Sequence, residues 1–159
     1  MLICCITLIT NAQKTINVKK VDSPTLINNG IELFEKGDFD GAIAQYMKVP
    51  AGDPYYDFAK YEIAYAQYEK KDYQGTIASL QEIIDSESPN IDKWQVFLML
   101  GDSCNLMGQG EKTLEIFDLA FQSYPYSWEL YYSKGVTLYN MKRYEEAKQN
   151  IAKAIFINP

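Results

Sequence analysis

Histidine does not occur in this chain of 159 residues. Its absence removes the commonest general base and the commonest zinc ligand, so most hydrolytic and metal-assisted chemistries lose their usual actor. Positive charge is in deficit as well, with 15 Lys and Arg against 21 Asp and Glu and a net charge of −6. A nucleic-acid footprint needs a basic face, and this balance argues against one. Three cysteines are too few and too badly placed for a disulfide framework. No strand-like alternation competes with the helical periodicity described below.

What is present is a large apolar and aromatic content. Hydrophobic residues make up 47% of the sequence, ample for the core of one domain. Aromatics reach 14%, led by 13 tyrosines, a supply for packing and for a binding surface alike. Residues 1–12, MLICCITLITNA, are apolar and uncharged, then end in small and polar residues before Gln13 and Lys14. An apolar core of about 7–15 residues ahead of a small-residue cleavage site marks a secretory signal and is too short to span a membrane. The expected cut follows Ala12, and Cys4 and Cys5 leave with the segment. Such a signal should begin with Lys or Arg, and none precedes this run. The alternatives are a start further upstream or a buried N-terminal segment. With a signal the protein is expected to be periplasmic or secreted; without one, cytoplasmic. Residues 13–22, with Lys14, Lys19 and Lys20 and no helical period, read as a polar linker.

From Ser23 onward the helix signals are explicit. Ser23-Pro24, Asp53-Pro54 and Ser88-Pro89 each set a capping side chain before a proline, which at the first helical position loses no hydrogen bond. Ser127 offers a fourth cap. Breaks at Lys36-Gly37-Asp38, Lys70-Lys71-Asp72, Met107-Gly108-Gln109-Gly110 and Met141-Lys142-Arg143 divide the chain further. This punctuation predicts eight helices of about 11–17 residues, arranged as four pairs.

The pairs repeat. Residues 128–159 carry Tyr131, Gly135, Leu138, Tyr144, Ala147, Ile151, Ala154 and Pro159, and 34 residues earlier Trp94 opens a second copy with Phe97, Leu100, Gly101, Cys104, Thr113, Phe117, Ala120 and Pro125. A third copy holds Ile63, Ala64, Tyr73, Thr76, Leu80 and Ile83, three residues longer around Ser86 to Asn90. A fourth holds Leu26, Gly30, Leu33, Gly37, Phe39, Ala42, Tyr46 and Pro54. Four copies in phase, with small residues where two helices cross, resemble the tetratricopeptide repeat. The resemblance covers 23–159, with repeats at 23–56, 57–93, 94–127 and 128–159, and departs from the pattern at Asn29, Lys60, Gln67 and Lys134. It implies an all-α fold, an α-solenoid of four antiparallel helix pairs wound into a right-handed superhelix. Gly30, Ala64, Gly101 and Gly135 should face Ala42, Thr76, Thr113 and Ala147, and each pair must stack on the next to cover its apolar face.

The resemblance also implies a ligand face, the concave surface lined by the first helix of every pair. Carried over residue by residue, the family positions are Ile27, Ile31, Phe34 and Glu35, then Phe58, Tyr61, Tyr65, Tyr68 and Glu69. The later pairs supply Gln95, Leu98, Asp102, Asn105 and Leu106, then Glu129, Tyr132, Val136, Tyr139 and Asn140. Helical spacing by itself puts Phe58, Tyr61, Tyr65 and Tyr68 on one stripe. With Tyr132 and Tyr139 they would form an aromatic groove suited to peptide capture, because tyrosine joins a large ring to a hydrogen-bonding tip. An aromatic stripe at helical spacing is equally a core signature, and both readings stand. Asp102 and Asn105, polar on an apolar helix, are expected in the groove. The family subset that clamps a C-terminal carboxylate uses Lys and Asn where this chain has Ile27 and Ile31, so a carboxylate end is not the expected ligand.

Other chemistry finds no purchase. Cys104 occupies a packing position and reads as an inert thiol. Asp38-Phe39-Asp40 lacks further spaced oxygen ligands for a metal, and a capping Asp is the ordinary reading. Gly108-Gln109-Gly110 reads as a turn without the Lys-Ser/Thr of a phosphate cradle. No nucleophile, base and stabiliser converge, and no metal, cofactor or small-molecule substrate is expected. The expected function is a non-enzymatic scaffold for a peptide or partner protein. The alternative is the N-terminal module of a longer envelope-associated protein whose activity or anchor lies beyond Pro159. The last helix has no polar capping helix behind it, so self-association through it is a further expectation.

Overall fold

The computed structural model describes residues 22–86 and 91–159. Along them run eight helices, α1 (Ser23–Glu35), α2 (Phe39–Tyr46), α3 (Tyr56–Glu69), α4 (Tyr73–Asp85), α5 (Lys93–Leu106), α6 (Gly110–Ala120), α7 (Trp128–Asn140) and α8 (Tyr144–Ile157), with no strand among the described residues. They pack as four pairs, α1 on α2 through α7 on α8, and α2, α4 and α6 each pack on the first helix of the following pair. The expected signal at 1–12, most of the linker at 13–22 and the Ser88-Pro89 cap lie outside the described residues.

Two expected helix starts shift. Asp22, not Ser23, caps α1: its Oδ1 accepts from the Thr25 N–H at 2.9 Å, while the Ser23 hydroxyl donates to Asp53 Oδ2 at 2.6 Å. Asp53-Pro54 does not open α3 but lies in the turn before it, because Asp53 is already committed to Ser23 and to the Tyr55 N–H. Ser127 does cap α7, accepting from the Leu130 N–H at 3.4 Å, and Asp38 caps α2 through the Gly41 N–H at 2.9 Å. One length departs from expectation as well. α2 has only 8 residues, since Pro50 disfavours helical geometry at Val49 and the chain leaves through tight turns at Lys48 and Val49.

The turn inside each pair uses one device four times. Gly37, Lys71, Gly108 and Lys142 occupy the same place in their repeats, and all four have φ between 64° and 78°. Glycine adopts this left-handed backbone freely, whereas lysine is strained there.

Small residues permit the crossings, as the repeat pattern requires. A methyl group added at Gly30 would lie 2.2 Å from the Tyr46 ring, at Gly101 2.4 Å from Phe117, and at Gly135 2.6 Å from Ile151. Ala42, Ala64, Thr76, Thr113 and Ala147 are all buried. The Thr113 hydroxyl lies 3.2 Å from the Gly101 carbonyl, giving the buried polar group a partner across the crossing. Four apolar clusters follow one another along the stack, with Ile84 and Ile116 shared by the second-pair and third-pair clusters. Three departures from the repeat pattern become cross-helix polar links. Lys60 reaches Glu82 at 3.0 Å and lies over the Tyr56 ring, Gln67 accepts from the Ser79 hydroxyl at 2.8 Å, and Lys134 pairs with Asp118 over the Phe121 ring. Asn29 simply faces outward.

Candidate functional site

The second and third pairs hold the aromatic groove. Tyr61, Tyr65 and Tyr68 come from one face of α3, at helical spacing, and Trp94, Gln95, Leu98, Met99 and Asp102 come from α5 across a gap of about 260 Å³. Tyr61 and Tyr68 are half-buried with their inner edges against the core of Leu80, Val96 and Leu100, while Tyr65 is more exposed. Phe58, one turn earlier, stays exposed and is not part of this groove's lining.

Asp102 takes its position from the crowding of its own helix. α5 buries Val96, Phe97, Met99, Leu100, Gly101, Ser103 and Cys104, which leaves only a narrow strip facing the groove for Leu98 and Asp102. Burial raises the Asp102 carboxyl to about 6. A charged carboxylate loses hydration there, and no ion pair among the described residues repays it. Burial also pushes the Tyr61 hydroxyl up, aided by Glu62 and Tyr65, and pushes the Tyr68 hydroxyl up, aided first by Asp102. Glu62 itself is raised by burial. The groove therefore offers rings, hydroxyls and one acid without an ion-pair partner among the described residues. The Cys104 thiol is fully buried, and burial pushes its pKa up, as an inert packing thiol requires.

The other expected groove residues lie elsewhere along the stack. Ile27 is core, and Ile31 is half-buried against the first cluster. Phe34 stacks on Tyr65, ring centroids 5.1 Å apart, and so extends the aromatic surface toward the first pair. Asn105 and Val136 are partly exposed, and Tyr132 is exposed on α7. Tyr139 does not enter the α3–α5 groove. It lies edge-on to Tyr144 at 5.4 Å and borders an apolar hollow of about 430 Å³ along α8, with Ala147, Lys148, Ile151, Ala152 and Ile155. The same edge contact joins Phe34 to Phe39 and Tyr68 to Tyr73, so these three rings lock the turn of their own pair. Trp94 and Met99 belong to the groove although family positions do not include them. Trp94 sits one residue before a carried-over position, and the sequence marked it only as the residue that opens the repeat at 94–127.

Comparisons with known proteins agree with this architecture. Residues 129–159 match the family described as tetratricopeptide repeat. No curated protein sequence matches the chain. Among solved structures it is similar to a crystal structure of MamA, with a TM-score of 0.71 and 22% identity over 84% of this chain and 77% of that one. It is similar as well to MamA MSR-1, with a TM-score of 0.69 and 16% identity over 89% and 80% of the two chains. A third likeness is to MamA from Desulfovibrio magneticus RS-1, with a TM-score of 0.69 and 16% identity over 84% and 74%. At these identities the likeness is one of fold.

Proposed function

We propose that this chain, a tetratricopeptide repeat solenoid, is a non-enzymatic scaffold that holds a peptide segment or partner protein against the aromatic face of its first helices. The observation that carries the reading is the groove of Tyr61, Tyr65, Tyr68, Leu98 and Asp102, where rings already positioned by the core turn a free edge outward. Rigid aromatic side chains capture partners at little cost in conformational entropy. The test is capture of partners from the native compartment by the wild-type chain and by Tyr65→Ala. The variant should lose captured protein while keeping its helical circular dichroism; equal capture by both would remove the groove as the binding face. An exported location, resting on residues 1–12 alone, is checked by fusing them to a reporter that is active only outside the cytoplasm.

A second reading is favoured by α8. Phe121, at the C-terminal end of α6, stacks on Tyr131 of the next pair at 4.2 Å, and Ile155 holds the same place in the last repeat yet is 60% exposed, beside Phe156 at 87%. We infer that another helix covers this face, either from a second copy or from further chain beyond Pro159 that carries an activity or anchor. Head-to-tail stacking is disfavoured, since α1 turns polar Thr25, Asn28, Asn29 and Glu32 outward. Light scattering separates the two sources. A dimer abolished by Ile155→Glu supports self-association, and a monomer supports the longer protein.

A further inference from the structure

Among the carried-over positions on the first helices, the charged residues are all acids. Glu35, Glu69, Asp102 and Glu129 are there, and no lysine or arginine is. The lysines of α3 and α7, and Lys70 just after α3, are paired with acids of neighbouring helices: Lys60 with Glu82, Lys70 with Asp40 and Lys134 with Asp118. The one acid set inside the aromatic groove, Asp102, has three tyrosine rings of α3 opposite it and no cation paired with it among the described residues. The space of about 260 Å³ is below the ~300–1,000 Å³ of ordinary small-molecule pockets. It suits one long side chain rather than a helix.

We propose that this groove receives a lysine or arginine side chain of the partner, its aliphatic stem lying on Tyr61, Tyr65 and Tyr68 and its charge meeting the Asp102 carboxylate. Three physical terms favour such a guest. The tyrosine faces attract a cation through their negative π surface. The stem of a basic side chain buries apolar area while its head stays polar. The carboxylate, desolvated and so shifted toward its neutral form, gains a counter-charge from such a guest. A guest with a carboxylate or a phosphate would meet the opposite: like charge at Asp102, with Glu69 on the next turn of α3.

This inference rests on the scaffold reading of the same groove, and one experiment separates their failures. Four capped heptapeptides, identical except for a central Lys, Arg, Gln or Glu, are titrated into the full chain and into Asp102→Asn and Tyr65→Ala, with binding followed by fluorescence anisotropy. The expected result is a preference for Lys and Arg over Gln of about tenfold, with Glu weakest, and a clearly smaller Lys-to-Gln ratio in Asp102→Asn. Whichever of Lys and Arg binds tighter identifies the preferred cation. Equal binding of all four that is lost in Tyr65→Ala overturns the cation inference and leaves the groove standing. A Lys preference undiminished in Asp102→Asn also overturns it. Absence of binding by every peptide overturns both readings.

Discussion

The ring of Phe34 lies stacked on that of Tyr65, centroids 5.1 Å apart and planes inclined by 23°. The contact joins the first helix of one pair to the first helix of the next, and Phe39 braces Phe34 edge-on from behind at 5.2 Å. Aromatic pairs in such geometry couple by about 0.5–1.5 kcal/mol beyond the area they bury. A double-mutant cycle of Phe34→Leu and Tyr65→Leu in urea denaturation should return a coupling in that range, and additive losses would show that the stack contributes nothing of its own.

The helix crossings make a harsher demand. A methyl group at Gly101 would stand 2.4 Å from the Phe117 ring, and Phe117 is itself fully buried and has little room to retreat. Gly101→Ala should therefore cost about 1–3 kcal/mol, the usual range for overpacking, although alanine is the better helix former. The denaturation midpoint should fall with its slope unchanged. A gain in stability would mean that α5 and α6 can separate freely.

The intra-pair turns allow a change of opposite sign. Lys142 has φ 64° at the place where Gly37 has 78° and Gly108 has 74°. Relief of left-handed strain should make Lys142→Gly more stable by about 1 kcal/mol, while Gly37→Ala should lose a similar amount. Opposite shifts in melting temperature for the two variants are the expected observation. Shifts of the same sign would refute the shared turn geometry.

These variants also mark what the sequence made legible. Gly101, Ala42 and Thr113 were readable because a crossing leaves room for nothing larger, and any repeat must meet that steric demand at the same offset. The start of α3 was not, because the tie from Ser23 to Asp53 joins residues 30 positions apart and leaves no local signature. The tyrosine stripe was legible as a stripe. Its division into buried inner edges and an open groove depended on α5, whose Trp94 and Met99 have no periodic relation to α3. Lys60, Gln67 and Lys134 looked like defects in the pattern, since their partners Glu82, Ser79 and Asp118 lie on neighbouring helices.

The acid in the groove should reveal itself in the pH dependence of stability. In the folded chain the Asp102 carboxyl is raised from its ordinary 3.8 to about 6, so the folded state holds a proton that the unfolded state has lost across that interval. Stability from this group is thus fully present below about pH 4 and declines as pH rises through 6. Tyr61, Tyr65 and Tyr68 face it from α3, and no cation faces it from the groove lining. Asp102→Asn should remove the decline and be more stable than the wild type at pH 7 by on the order of 1–2 kcal/mol, with the difference shrinking toward pH 4. Urea titrations of both proteins between pH 4 and 7 measure it, and the other carboxylates cancel in the difference. A gap that does not change with pH would mean that Asp102 is solvated, which would also take away the unpaid charge that a basic guest is expected to satisfy.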